Sequence, residues 1–211
     1  MEQQFNEKTD SNATTTQAKQ TADGKYAKIL QSAIAVISEK GLDKTSISDI
    51  VKKAGVAQGT FYLYFESKTA LIPAIANNLL TITLGAIKEK VQHESDVWRK
   101  LEVFVDETFH ITEAYRDVIV LCYSGLAIDN SLEKWEAIYQ PYYDWFEHIL
   151  IKGIESKQLY AHMHVEWTSR MVINLVENAA ERFYIGKEQQ NTIEVYKSEV
   201  IAFLQRSLEA R

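Results

Sequence analysis

The sequence predicts an all-α protein of about nine helices, with a short three-helix N-terminal unit followed by a larger helical body. Three observations carry this. The chain has 211 residues but only eight Gly and two Pro, and a β-rich fold needs many turns built from those residues. Apolar residues recur at three- and four-residue spacing over long stretches, the mark of amphipathic helices. Helix ends are signalled by capping residues and by well-placed Gly. An apolar content of 46% with 25% charged residues is that of a packed globular chain. The single cysteine, Cys122, excludes an internal disulfide and a multi-cysteine zinc site.

Residues 1–24 read as a disordered polar tail rich in Thr, Gln, Asn and Ser, without the apolar core of a secretory signal. The first helix is expected over 25–40, where Tyr26, Ile29, Ala33, Val36 and Ile37 form one stripe and Gly41 supplies the left-handed stop. Ser46 with Asp49 three residues on is a capping box that starts a second helix ending at Ala54 and Gly55. Gly55, Val56 and Ala57 make a tight turn into a third helix over 58–65. That helix is unusual for a structural element, with Gly59 near its start, hydroxyls on Thr60, Tyr62 and Tyr64, and Phe61 and Phe65 packing inward. Two short helices joined by a Gly turn after a supporting helix form a helix-turn-helix pattern. Net charge is −6 overall, yet residues 25–72 hold seven Lys against four acids, a net of +3. A basic module on an acidic body is the asymmetry expected of a phosphate-binding end.

Ser67 can cap a fourth helix over 68–93, in which Pro73 would fall in the second turn and bend it. Helices follow at 96–112, from 115 or 116 to 128, and from a capping box at Asn130–Glu133 to 156 with a bend at Pro141. The last two are expected over 165–185, ended by Gly186, and from a cap at 191–194 to 208. The longest apolar run, 118–123, falls far short of the roughly 18 residues of a membrane span. No P-loop, nucleophile elbow, Gly-rich dinucleotide loop or zinc-protease motif is present, so no enzymatic activity and no cofactor is expected. His162 and His164 lack further ligands at metal spacing, and Cys122 lacks an adjacent base.

Residues 25–76 resemble the DNA-binding domain of TetR-type transcriptional regulators. The match lies in Gly41, Thr45, Ser46, Asp49, Ile50, Val51, Ala54, Gly55, Val56, Gly59, Thr60, Phe61, Tyr62, Tyr64, Phe65, Ser67, Lys68 and Leu71. Val51 and Leu63 depart from the usual pattern. The resemblance implies a helix-turn-helix DNA-binding domain at 25–72 and a ligand-binding and dimerisation domain at 73–211. It places the third helix in the major groove, with Thr45, Ser46, Tyr62 and Lys68 on phosphates and Gln58, Gly59, Thr60 and Leu63 facing base edges. Hydroxyls and Lys suit phosphate, Gln can read adenine, and a Thr methyl can pack on thymine.

It also implies a homodimer through the last two helices, with Trp167, Met171, Leu175, Asn178 and Arg182 meeting Val195, Glu199, Ala202 and Arg206 across a twofold axis. Two recognition helices about 34 Å apart, or a multiple, match a palindromic operator on double-stranded DNA. The aromatic body suggests a pocket for a small apolar or aromatic effector. The candidate contacts are Phe104, His110, Tyr123, Tyr142, Trp145, Phe146, Asn174 and Glu177. The expected function is a cytoplasmic, ligand-responsive transcriptional regulator, a repressor released by its effector. An activator, a solid-cored interaction protein and a helical enzyme are the rivals; no nucleophile–base pair supports the last.

Overall fold

The structure, a computed structural model, describes residues 24–129, 132–186 and 190–210. They form eight helices: α1 (24–40), α2 (Ile47–Ala54), α3 (Gln58–Tyr62), α4 (Leu71–Val91), α5 (Val97–Asp129), α6 (Leu132–Glu155), α7 (Val165–Tyr184) and α8 (Ile193–Leu208). The chain divides into two compact units, one running to Ile75 and the other Ala76–Arg211.

The first unit closes on a small core. Ile29, Ala33, Val36 and Ile37 of α1 are buried as their spacing requires, with Ile50, Val51, Phe61 and Phe65. Tyr26 stacks on Phe65 at 5.3 Å, and Phe61 lies 5.5 Å from Phe65. Both turns use glycine where L-residues are strained: Gly41 at φ 79° and Gly55 at φ 67°. The Ser46 capping box is complete, with the Ser46 hydroxyl accepting from the Asp49 amide and the Asp49 carboxylate accepting from the Ser46 amide.

The second unit is a bundle in which α5 packs on α6, α7 and α8, and α7 packs on α6 and α8. Phe104, Phe109, Tyr142, Phe146, Leu150, Ile173, Val176 and Ala180 form the centre of its core. The loop after α6 is tied to the chain end, where the Tyr160 amide donates to the Leu208 carbonyl at 2.8 Å. Gly153 sits where α6 meets that loop. A Cβ there would lie 2.6 Å from Leu159 Cδ1 and 3.0 Å from Val97 Cγ2. Gly153→Ala is therefore expected to cost about 1–3 kcal/mol through overpacking, read as a lower denaturant midpoint; an unchanged midpoint would refute this packing.

Several expectations are corrected. The two helices expected on either side of residue 114 run together as α5 but meet at a kink where the break was expected, at Tyr115, whose φ of −120° and ψ of 20° are non-helical. Taking α5 as one element gives eight helices among the described residues; taking its two arms separately gives nine. The third helix stops at Tyr62, because the Leu63 and Tyr64 amides turn back to Thr60 and Phe61 carbonyls three residues away. The tightened turn brings Phe65 in beside Phe61. The fourth helix begins at Leu71, not 68, so Pro73 lies in the first turn, where the amide it lacks has no helical partner to lose.

Helix α4 is long and apolar enough to cross a membrane by length and composition, although it contains no long unbroken apolar run. In this structure Leu71, Ile72 and Ile75 are buried, and Leu84, Ile87 and Val91 join the core of the second unit. Thr192 is the N-cap of α8 but makes no side-chain capping bond. The polar tail at 1–23 and the capping box at Asn130 and Ser131 lie outside the described residues.

Candidate functional site

Each unit presents one candidate site. In the first, the turn after Gly55 sets α3 so that Phe61 is buried while Gln58, Gly59, Tyr62 and Leu63 are exposed and Thr60 is half-buried. Tyr62 is 51% exposed and Leu63 80%. An aromatic hydroxyl and a bare leucine held outward on a five-residue helix leave that edge open for a partner.

The remaining expected DNA contacts are placed differently. Thr45 is only 3% exposed, and its hydroxyl donates to the Gly41 carbonyl at 2.7 Å. Its side chain is spent on closing the loop before α2 and is not offered to phosphate. Lys68 donates from Nζ to the Leu42 carbonyl at 2.7 Å and to the Thr45 carbonyl at 2.9 Å. It staples the same loop, with at most one ammonium hydrogen left over. The Ser46 hydroxyl, though exposed, is engaged in the capping box. The Asp49 carboxyl is held well below the usual carboxylate range, first by its hydrogen bond from Lys40, then by its bonds from Ser46. Lys44 and Lys52 are exposed, whereas Lys53 pairs with Glu39 at 2.6 Å.

In the second unit α4, α5, α6 and α7 line a cavity of about 790 Å³ that opens to solvent beside Tyr123 and Met171. Of the eight expected ligand contacts, Tyr123, Asn174 and Glu177 line it. Phe104, Tyr142 and Phe146 are instead fully packed, Phe146 lying 4.9 Å from Phe104. Trp145 packs on that core and His110 is exposed. Helix α6 explains the division. Its 142, 146, 149 and 150 positions lie in the core, Trp135, Glu136 and Tyr139 face the cavity, and Tyr143 belongs to both. Aromatic residues fall on both stripes, so spacing alone does not separate wall from core.

The other wall residues missed by sequence include Leu79, Leu80 and Thr83 of α4 and Thr108, Ile111, Thr112 and Cys122 of α5. The available signal was on α7, where Glu177 and Glu181 stand one turn apart on one face.

Hydrogen bonds order the polar end of the cavity. The Tyr139 hydroxyl donates to Glu177 Oε2 at 3.2 Å, and the Tyr123 hydroxyl donates to Glu181 Oε2. Burial, then the neighbouring Glu181 charge, pushes the Glu177 carboxyl up to about 8, against a smaller lowering by the Tyr139 bond. Burial moves Glu181 in the same direction. Burial likewise pushes the Cys122 thiol up to about 12, so it stays protonated and weakly nucleophilic. Glu136 already has a cation: Arg170 donates to it at 2.8 Å while lying 4.3 Å from the Tyr143 ring centre. His164, one of the two histidines considered for metal, instead caps α7 through Nδ1.

Residues 29–75 match the family model of bacterial regulatory proteins of the tetR family, and residues 101–208 match that of the tetracyclin repressor-like C-terminal domain. The HTH-type transcriptional regulator YvdT of Bacillus subtilis is 65% identical over 190 residues, covering 90% of this chain and 97% of its own. Among solved structures, the fatty acid degradation regulator FadR of Bacillus halodurans superposes with a TM-score of 0.71 at 22% identity, over 85% of this chain and 94% of its own. FadR of Bacillus subtilis in complex with stearoyl-CoA gives 0.70 at 22% identity, over 85% and 97%. At that identity the likeness speaks for the fold alone.

Proposed function

The chain belongs to the TetR family of bacterial regulatory proteins, and on that premise we propose that it is a homodimeric repressor released from a palindromic operator by a small molecule held in its body. The observation that carries this is the pairing, on one chain, of an exposed α3 edge with a large cavity in the helical body. Helix α4 runs through both units: Leu71, Ile72 and Ile75 are buried ahead of the division, and Ala76, Leu79, Leu80 and Thr83 wall the cavity. A ligand that prefers one position of α4 biases DNA affinity by its differential affinity for the two states.

In this reading Gln58, Gly59, Thr60 and Leu63 face base edges, and the Tyr62 hydroxyl with Lys44 and Lys52 meets phosphate. Thr45 and Lys68 hold the loop that presents them. The dimer rests on an apolar stripe that a single chain leaves open. Trp167, Met171 and Leu175 are 59%, 62% and 37% exposed on α7, and Val195 and Phe203 are 43% and 49% exposed on α8. Asn178, Arg182, Glu199 and Arg206 lie on the same helices, and Ala202 is half-buried. Met171 and Leu175 also line the cavity, so a second copy laid on that stripe adjoins its rim. A cytoplasmic location follows from the DNA target.

The test is a salt-titrated binding assay on the DNA upstream of the protein's own gene. The Gln58→Ala, Tyr62→Ala double variant changes only exposed side chains, so it is expected to keep its fold and lose about 10- to 100-fold in affinity. Failure of the intact protein to bind, or wild-type affinity in the double variant, would defeat the DNA reading. A reporter on the same promoter separates repressor from activator, because deleting a repressor raises expression.

A further inference from the structure

We propose that the effector is an apolar organic cation, its charged group seated between Glu177 and Glu181 and its hydrocarbon or aromatic body filling the rest of the cavity. This rests on reading the cavity as the sensor site. At about 790 Å³ the space is that of a drug-sized ligand. Its described wall carries three ionisable carboxylates, Glu136, Glu177 and Glu181, and no Lys or Arg. Glu136 is matched by Arg170 at 2.8 Å. Glu177 and Glu181 are not matched by any cation among the described residues; their hydrogen-bond donors are the neutral phenols of Tyr139 and Tyr123.

Two acids one helical turn apart repel each other. Holding them in a partly dry cavity costs free energy that an opposite charge relieves. Tyr142, only 1% exposed and packed in the core behind the wall, feels the Glu177 charge and has Thr108, a wall residue, as a hydrogen-bonding neighbour. Beside the acids the wall carries the aromatic residues Tyr123, Trp135 and Tyr139, of the kind that attracts a cation, while the Tyr143 ring is already engaged by Arg170. A carboxylate- or phosphate-bearing ligand would meet repulsion at this end. A neutral one would leave the pair without an opposite charge and Glu177 held in its protonated form.

Near neutral pH and without a bound cation, Glu177 holds a proton, since burial and the Glu181 charge push its carboxyl up to about 8. A bound cation reverses the preference, and that proton leaves to solvent. The other titratable groups facing Glu177 are Tyr123 and Cys122 from α5, Glu136, Tyr139, Tyr142 and Tyr143 from α6, and Glu181 from α7; the cavity residues of α4 carry none.

The experiment is calorimetric titration of the full-length protein with tetraphenylphosphonium and tetraphenylborate, which share size and shape but differ in the sign of charge. Triphenylmethanol is the neutral reference. Tetraphenylphosphonium is expected to bind at least about tenfold tighter than tetraphenylborate, and titrations in two buffers of different ionisation heat are expected to show proton release. Glu177→Gln and Glu181→Gln are each expected to weaken the cation about tenfold. Triphenylmethanol binding stays unchanged in both variants, which shows that the cavity is intact.

Equal or tighter binding of the borate, or undiminished phosphonium binding in the double glutamine variant, would overturn the cation assignment and leave the sensor reading standing. Absence of binding by all three probes would overturn both. Phosphonium binding that leaves the DNA complex unaffected supports the cation site and removes the sensor reading.

Discussion

Phe61→Ala is expected to abolish DNA binding by unfolding the first unit while the helical body stays folded. Phe61 has no solvent exposure, and its ring sits against Phe65 and Tyr62 beneath α3. Truncating a buried Phe costs about 3–5 kcal/mol through lost burial and the cavity left behind. The 47 residues of the tetR-family match, 29–75, define a unit of small size, and a domain of that size has only about 2–7 kcal/mol to lose. A melt followed by helix content is therefore expected to split, with an early transition for the first unit and a later one for the second. Tyr62→Ala, next in sequence but half exposed, is expected to change stability by less than about 0.5 kcal/mol and still weaken DNA binding. A single unshifted transition for Phe61→Ala with wild-type DNA affinity would show that Phe61 does not hold α3 in place.

The second large effect is a pH dependence of stability centred on Glu177. Below the ordinary carboxyl value near 4.5, folded and unfolded chains both carry its proton and the residue costs nothing. Between that value and about 8, the unfolded chain releases the proton while the folded chain keeps it. Stability therefore falls as pH rises across this window, and above about 8 the loss is complete and constant. Glu181, raised by its own burial, adds to the fall.

The total is on the order of a few kcal/mol, because each tenfold change in proton affinity is worth about 1.4 kcal/mol. Glu177→Gln removes most of the slope, so it is expected to raise the melting temperature at pH 8.5 and leave it nearly unchanged at pH 4. Wild-type and variant curves running parallel from pH 4.5 to 8.5 would show that Glu177 ionises freely in the folded protein. Because the same substitution is expected to weaken cation binding, a single variant separates the stability cost of the site from its use.

Much of this molecule is determined by its sequence alone. The Ser46–Asp49 box and the left-handed Gly41 and Gly55 are local devices, set by backbone preferences within a few residues, and the inward Phe61 is legible from its spacing even though its burial is completed by α1. The same is true of the stripe on α1, where period and burial agree. Family membership follows from that ordered set.

What only the tertiary structure decided depends on which neighbour a side chain meets. Helix α6 carries aromatic residues on two faces, and only the packing of α5 and α7 against it made the Tyr142 and Phe146 face core and the Trp135 and Tyr139 face cavity wall. Thr45 and Lys68 read as free hydroxyl and ammonium groups until the loop at 41–45 folded beneath them and took their hydrogen bonds. The Glu177–Glu181 pair is visible as an i, i+4 spacing, yet its meaning lies in the lack of a described cation beside it. That is a property of the surrounding helices, because electrostatic cost depends on what the fold brings near a charge and not on the charge itself.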